Sequence, residues 1–221
     1  MKTKKLIIFG TGDVAVIANY YFEIDSDYEV CAFTADREYC LTDFVENKPL
    51  IPFDNIKSNF PVDEYEMFIA LSYTQMNRLR ELKFNEAIAM GYSLASYISS
   101  KCTYLSQYKP GLNSFIFENN TIQPFVQIGD NVVIWSGNHI GHHSVIYSHN
   151  FISSHVVISG HCLIKSYCFL GVNSTIAHKV CIAEANVIGA GSVILKDTLP
   201  KEVFVPARSL KLDKSSDEIV V

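Results

Sequence analysis

All seven histidines lie between His139 and His178: His139, His142, His143, His149, His155, His161 and His178. Imidazole titrates closest to neutrality, so a crowd of them suits general acid–base work or metal ligation. A second candidate stands near the start. Gly10-Thr11-Gly12-Asp13-Val14-Ala15 has the form GxGxxA, after an apolar run and before a helical pattern. Backbone N–H groups in that setting can hold a phosphate. Asp36 stands near the end of the next apolar run, where a nicotinamide-binding fold keeps an acid, yet no dehydrogenase constellation follows. A tight structural turn without a ligand is the plain alternative.

The histidines need a frame to bring them together, and the sequence supplies one. From Ile116 to Ile194 an aliphatic residue recurs every six positions, fourteen times without a miss. Four residues after each stands something small, β-branched or Asn, from Asn120 to Thr198. That residue lies two before the next aliphatic, so in extended backbone both point the same way. A period of six predicts short strands joined by turns and wound into a solenoid, with one inward pair per flat side. Three hexads would close one triangular coil of eighteen residues, so fourteen hexads give between four and five coils. Residues eighteen apart then lie above one another at about 4.8 Å. That rule puts His142, Gly160 and His178 in one column and His143 and His161 in the next. A histidine beside a glycine leaves room for a ligand against bare backbone. The inward slots are aliphatic or small, so most of the histidines point outward. Each taken singly is equally a solvent-facing turn residue.

The first part of the chain has a different pattern. Lys4 to Phe9, Tyr28 to Thr34, Met67 to Ser72 and Tyr92 to Ile98 read as strands. Asp13 to about Phe22 and Asn77 to Met90 read as helices, the first with Val14, Ile17, Ala18 and Tyr21 on one face. Strand, glycine turn, helix and strand make a βαβ unit of a parallel sheet. The expected organisation is an α/β domain over residues 1–98, a β-solenoid over 99–207 and a polar tail over 208–221. The 221 residues are 48% hydrophobic and 19% charged, which suffices for real cores. A net charge of −5 argues against nucleic acid as a partner. No apolar run is long enough to insert in a membrane, and Leu6 to Phe9 is too short for a signal-peptide core. Six cysteines without a CxxC pair read as reduced thiols of a cytoplasmic protein, with Cys162 and Cys168 in inward slots.

Together these features resemble the bacterial sugar acetyltransferases that include the sialic acid O-acetyltransferases and the N-acetyltransferases of nucleotide-linked 4-amino sugars. The resemblance spans about residues 4 to 207. It rests on the two-part order, on Cys168-Phe169-Leu170-Gly171-Val172-Asn173-Ser174 and on Ile188-Gly189-Ala190-Gly191-Ser192-Val193. It implies a small Rossmann-like N-terminal domain followed by a left-handed parallel β-helix of hexapeptide repeats. It also implies a homotrimer with active sites between subunits and acetyl-CoA as co-substrate. In such enzymes a histidine followed by an acid is the base. The matching stretch here is Ile140-Gly141-His142-His143-Ser144-Val145-Ile146, so His142 takes the base position and His143 replaces the acid. A carboxylate fixes the tautomer and stabilises imidazolium. A second imidazole does the first weakly and the second not at all, and two close rings disfavour double protonation. Some relatives carry a further histidine where Phe151 stands, and their Gly-x-Pro-Ala element is reduced to Val205-Pro206-Ala207.

By resemblance, the backbone N–H of Gly160 stabilises the oxyanion, and Gly160, Val172, Ala190, Gly191 and Pro206 line the CoA groove. Gly10, Gly12 and Asp13 hold the nucleotide phosphates or nearby sugar, and Asp36 sits near the nucleoside. Arg78 faces the pyrophosphate or is a plain surface arginine. The expected activity is acetyl-CoA-dependent N-acetylation of a nucleotide-linked (dideoxy) amino sugar for bacterial surface glycan synthesis, as in lipopolysaccharide or O-antigen. O-acetylation of the sialic acid type is the alternative. A non-catalytic trimeric scaffold or nucleotide-sugar sensor is the alternative of another class. The γ-class carbonic anhydrases also carry outward histidines on a solenoid, but use a His-x4-His pair that this chain lacks. No metal is expected.

Overall fold

A computed structural model describes residues 2–209, 211, 213 and 215–218. Leu6 to Phe9 of strand β1 (Lys4–Phe9) are all buried, as suits a parallel strand covered on both faces. The chain turns at Gly10 into helix α1 (Asp13–Ile24) and returns as β2 (Tyr28–Ala35). The helix buries Ala15, Ala18 and Phe22 most deeply, because two alanines let it close on the sheet. Of the face expected from the pattern, Ala18 is buried, while Val14, Ile17 and Tyr21 flank that line half-buried. Tyr21 instead meets Phe117 edge-on at 5.0 Å.

Strands β3 (Phe44–Val45) and β4 (Lys48–Pro52) form a hairpin that the sequence pattern did not announce. Its turn residues Glu46 and Asn47 have φ of 48° and 59°, the geometry of a two-residue turn that usually advertises itself with glycine. A short helix α2 (Ile56–Asn59) leads to β5 (Tyr65–Ile69), and helix α3 (Arg78–Met90) follows. The sheet order is β3-β4-β2-β1-β5, parallel except at the β3–β4 edge. The third strand ends at Ile69 rather than Ser72, because Leu71 and Ser72 turn their carbonyls to Arg80. Of the stretch expected as a further strand, Leu94 makes a single bridge to Met67. Tyr97–Ile98 pairs with Phe115–Ile116 in the solenoid.

The solenoid is three-sided. Its first face stacks seven strands from Tyr97–Ile98 to Val203–Phe204, its second six from Thr103–Tyr104 to Val193–Ile194, and its third four from Gln127–Ile128 to Cys181–Ile182. Neighbouring rungs pair at an offset of eighteen, as in Val133 with Phe151, His139 with Val157 and Val145 with Leu163. Seventeen strands (7 + 6 + 4) make nearly six coils, more than the four to five expected. Ile98, Tyr104 and Pro110 carry the register backwards with residues that are not all aliphatic.

Inside, the column of Ile and Leu is fully buried beside its partner slot. The polar slot residues have work at the corners, where turning the chain would orphan buried N–H groups. Asn120 Oδ1 accepts from the Asn138 N–H (2.8 Å), Asn138 Oδ1 from Val156 (2.6 Å) and Asn150 Oδ1 from Cys168 (2.7 Å). The thiols of Cys162 and Cys168 donate to the carbonyls of Ala177 and Ala183. Burial pushes the Cys168 thiol up to about 12, so it is structural rather than nucleophilic. At every corner one residue in six adopts positive φ, from Asn113 to Gly191. His143, His149, His155 and His161 occupy this slot, with φ between 58° and 63°. Histidine, like Asn and Asp, is enriched there.

The α/β unit covers the first face through Phe22, Phe68, Tyr97, Phe115, Phe117 and Phe151. Beside that apolar contact stands a fully buried Arg80 on α3. Its Nε donates to Asn131 Oδ1 (2.9 Å), its Nη1 to the carbonyls of Leu71 and Ser72, and its Nη2 to those of Asn131 and Asn150 (both 3.1 Å). Burial pushes the guanidinium down to about 9, still charged at neutral pH. No helix of the described residues is long and apolar enough to cross a membrane.

Lysine has three donors against the five N–H groups of arginine. Arg80→Lys therefore strands buried carbonyls and is expected to cost about 2–4 kcal/mol, read as a lower urea midpoint at unchanged m-value. His149 gives a pH prediction. Asn131 Oδ1 already accepts from Arg80 and Asn113, so Asn131 Nδ2 donates to His149 Nδ1. Burial holds the imidazole below the usual histidine range, despite Glu81 at 3.6 Å. As pH falls through about 6.5 the unfolded chain takes a proton that the folded chain refuses, so stability is lost towards acid. His149→Asn, which suits the positive φ, should remove up to about 1.4 kcal/mol per pH unit of that slope in urea unfolding below pH 6.5.

Candidate active site

The corner between the second and third faces is built from Gln123 to Val126, Gly141 to Ser144, Ser159 to Cys162 and Ala177 to Val180 in successive coils. It gathers His142, His143, His161 and His178, all exposed. Gln123 Oε1 accepts from the backbone N–H of His142 at 2.8 Å, fixing where the residue starts. His142 Nδ1 lies 3.0 Å from His143 Nδ1. A hydrogen bond there needs one proton between the two nitrogens. When His142 donates it, the Nε2 lone pair is left free. The rings of His143 and His161 stack at 4.8 Å with 12° between planes, and the His142 ring stands perpendicular to His161 at 5.1 Å. Ring nitrogens of His142, His143 and His161 all lie within 4.8 Å of one another. Desolvation, then its three histidine neighbours, holds His161 below the ordinary histidine range.

Two glycines shape this corner in different ways. A Cβ on Gly160 would lie 2.9 Å from Cε1 and Nε2 of His142, so the imidazole rests directly against the bare backbone of the next coil. A Cβ on Gly141 would lie 2.5 Å from the backbone of Ser159 and Gly160, so glycine there is demanded by coil stacking.

The GxGxxA turn opens a cleft of about 430 Å³ at the carboxyl ends of β1 and β2, bounded by Gly10, Gly12, Ala35, Asp36, Leu79 and Lys83. Gly10 has φ of 127° and its missing Cβ would fall 2.7 Å from Ala70 O, so no other residue fits. Asp36 pairs with Lys83 Nζ at 2.7 Å, and Lys83 also meets Glu86 at 2.8 Å. Burial disfavours that ammonium, but its two hydrogen-bonded carboxylates outweigh the penalty and raise its pKa. Asp13 is exposed on the first turn of α1 and is not part of the cleft wall. Arg78 is not there either. It lies over the Tyr167 ring at 4.1 Å, with Glu184 at 3.8 Å. Lys83, one and a half turns further along α3, is the cation that reaches the cleft.

The expected CoA residues divide. Val172, Ala190, Gly191 and Pro206 are neighbours on the corner between the first and second faces. There Gly191 donates its N–H to Val172 O at 2.8 Å and Pro206 approaches Gly191. Gly160 belongs to the histidine corner across the second face. The chain thus brings together His142, His143 and Gly160, separately Gly10, Gly12 and Asp36, and separately the four groove residues. The α/β unit covers the first face, and the histidine corner lies opposite that face of the prism. Gln123 stands eighteen before Gly141, but its side chain reaches the next residue, His142, which counting by eighteen does not give. Lys83 carried no signal, because its partners come from β2 and its own helix.

The fold is that of an α/β domain with a left-handed β-helix of hexapeptide repeats, the architecture of sugar acetyltransferases. The acetyltransferase domain of PglB from Neisseria gonorrhoeae superposes with a TM-score of 0.80 at 21% identity, covering 94% of this chain and 100% of that one. PerB from Caulobacter crescentus, solved with CoA and GDP-perosamine, gives 0.78 at 21% identity over 92% and 96%. WeeI from Acinetobacter baumannii gives 0.78 at 17% over 92% and 97%. No family model matches the sequence.

The two glycines give a paired prediction. Gly141→Ala forces backbone apart, so it should cost about 1–3 kcal/mol and lower the melting temperature by about 2–4 °C for each. Gly160→Ala meets only the tip of an exposed side chain. It should leave melting nearly unchanged while shifting the His142 ring resonances in NMR.

Proposed function

We propose that the protein transfers an acetyl group from acetyl-CoA to the amino group of a nucleotide-linked sugar. The observation that carries this reading is the His142 ring, its Nδ1 against His143 and its far edge against the bare backbone of Gly160. With its Nδ1 proton given to His143, His142 offers Nε2 as the base. It removes a proton as the amine attacks the thioester carbonyl, and the Gly160 N–H stabilises the oxyanion. The thioester is already activated, so no covalent enzyme intermediate is required. An amine needs less help from a base than an alcohol does, and a dyad without a carboxylate supplies less, which favours N-acetylation. The glycine cleft takes the nucleotide, with Gly10 and Gly12 against phosphate and the Asp36–Lys83 pair beside it. PerB, which shares this fold, was solved with GDP-perosamine and CoA.

The same reading calls for a homotrimer with parallel coils. One chain keeps its histidine corner, its glycine cleft and its CoA-groove residues on separate sides. A neighbour that sets its first–second corner beside the histidine corner would complete a two-substrate crevice. Exposed Val157 and Val193 on the second face fit burial in such a contact. Surface glycan synthesis is the setting that suits a nucleotide-linked amino sugar.

Two experiments test this. Thiol release measured over UDP-, GDP- and dTDP-linked amino sugars should show turnover that His142→Ala lowers by about 10²-fold or more, with acetyl-CoA still bound. No turnover on any acceptor in the wild type would favour a nucleotide-sugar sensor. In the second, Gly12→Leu, whose Cβ has open space, should fold normally and lose nucleotide binding. Unfolding and refolding it together with His142→Ala should restore part of the activity, since mixed trimers hold some intact shared sites. No recovery would argue that each chain works alone.

A further inference from the structure

The histidine corner holds more imidazole than one base and its partner require. His161 has no part in the transfer described above, yet its ring stacks on His143 and faces His142. From these three side chains the geometry points to a binding site for a divalent transition ion of the zinc class, with His142, His143 and His161 as ligands and the ion as a reversible inhibitor. Three observations support it. Ligand nitrogens of all three rings already lie within 4.8 Å of one another, and the His142–His143 pair is at 3.0 Å. A tetrahedral ion with bonds of about 2.0–2.1 Å places its nitrogens about 3.3 Å apart. Closing the set requires the His161 ring to move, and that ring is exposed, with a broad terminal torsion. Around the cluster stand His178, the backbone of Gly160, the Phe125 ring at 4.5 Å from that of His143, and the Lys179 cation that acts on His161; the His142–His178 ring centroids are 6.5 Å apart, so a fourth imidazole is near. Imidazole without thiolate or carboxylate suits zinc, nickel and copper over magnesium or calcium.

The consequence for the reaction follows from proton bookkeeping and rests on the acetyl-transfer reading. A neutral imidazole has one N–H. An ion bound at His142 Nδ1 takes the place of the proton shared with His143, so the remaining proton must sit on Nε2. That nitrogen then has no lone pair for the amine. Ligation through His142 Nδ1 is therefore what couples ion binding to loss of activity.

Cobalt(II) is the probe, because its visible absorption reports coordination directly. Titrating the full-length protein with CoCl2 should give bands that saturate at one ion per chain and vanish on adding zinc. His161→Asn keeps a residue suited to the corner's positive φ of 59° and should weaken binding by about tenfold or more while leaving metal-free acetyl transfer at the wild-type rate. His143→Asn should weaken binding equally. Zinc should inhibit the wild type, measured by chromatography of the acetylated sugar because the released CoA thiol also binds the ion, with recovery on chelation and with His161→Asn resistant. Absent cobalt bands in the wild type, or unchanged bands in His161→Asn, would overturn the site. Equal zinc inhibition of both proteins would overturn the coupling. Cobalt binding that depends on His161, in a protein that acetylates no sugar tested, would uphold the site and count only against the transferase reading.

Discussion

The eighteen-residue coil is the constraint from which the rest of this structure descends. Each rung must stack on the last at strand spacing, so every position inherits a fixed neighbour one coil away. Within the prism this demands a buried aliphatic and a small or amide partner on each side. At the corners it demands a polar atom for the turning backbone, which the side chains of Asn120, Asn138 and Asn150 supply. Outside the prism the same register brings residues far apart in sequence face to face. His142 meets Gly160 for no other reason than that they differ by eighteen.

The attachment of the α/β unit follows a different physics. Its apolar face is broad, but apolar contact alone tolerates sliding. Arg80 removes that freedom. A fully buried guanidinium with five neutral oxygen partners on β5's exit and on two successive coil corners is satisfied in one arrangement only. The cation is costly to bury, as its lowered pKa shows. Its partners are nearly all main-chain carbonyls, which cannot be rearranged without breaking strands or corners. Such a clamp fixes where the glycine cleft lies relative to the coil.

Most of the solenoid was legible because its physics is local and repeated. One aliphatic per six residues reports a strand and a corner each time, and the vertical neighbours follow by counting. The first coil fell inside the expected solenoid but outside the hexad count, because Tyr104 and Pro110 hold the register without being aliphatic. The hairpin at Glu46-Asn47 was missed because its turn lacks the glycine that usually marks one. The glycine turn was legible as a local motif, whereas the cation beside it was not. Arg78 and Lys83 both lie on α3, and only the rotation of that helix on the sheet turns one toward Tyr167 and the other toward Asp36. The stripe on α1 was displaced for a similar reason. Two alanines decided which side could approach the sheet, against larger side chains that periodicity alone favours.

The replacement of an acid by His143 is best understood from the backbone. That position has φ of 59°, like every sixth residue around the coil. Asn, His and Gly hold most of these corners, although Phe125, Tyr167, Lys179 and Ala185 hold others at φ of 58° to 67°, so the backbone favours a short menu without enforcing it. Asp and His are the members of that menu that can take a proton from a neighbouring ring. Moving from one to the other keeps the orientation of His142, since Nδ1 still finds an acceptor at 3.0 Å. What it gives up is the charge that would stabilise an imidazolium. Under the proposed acetyl transfer, a dyad built this way suits an amine, which attacks the thioester without first losing a proton, better than an alcohol.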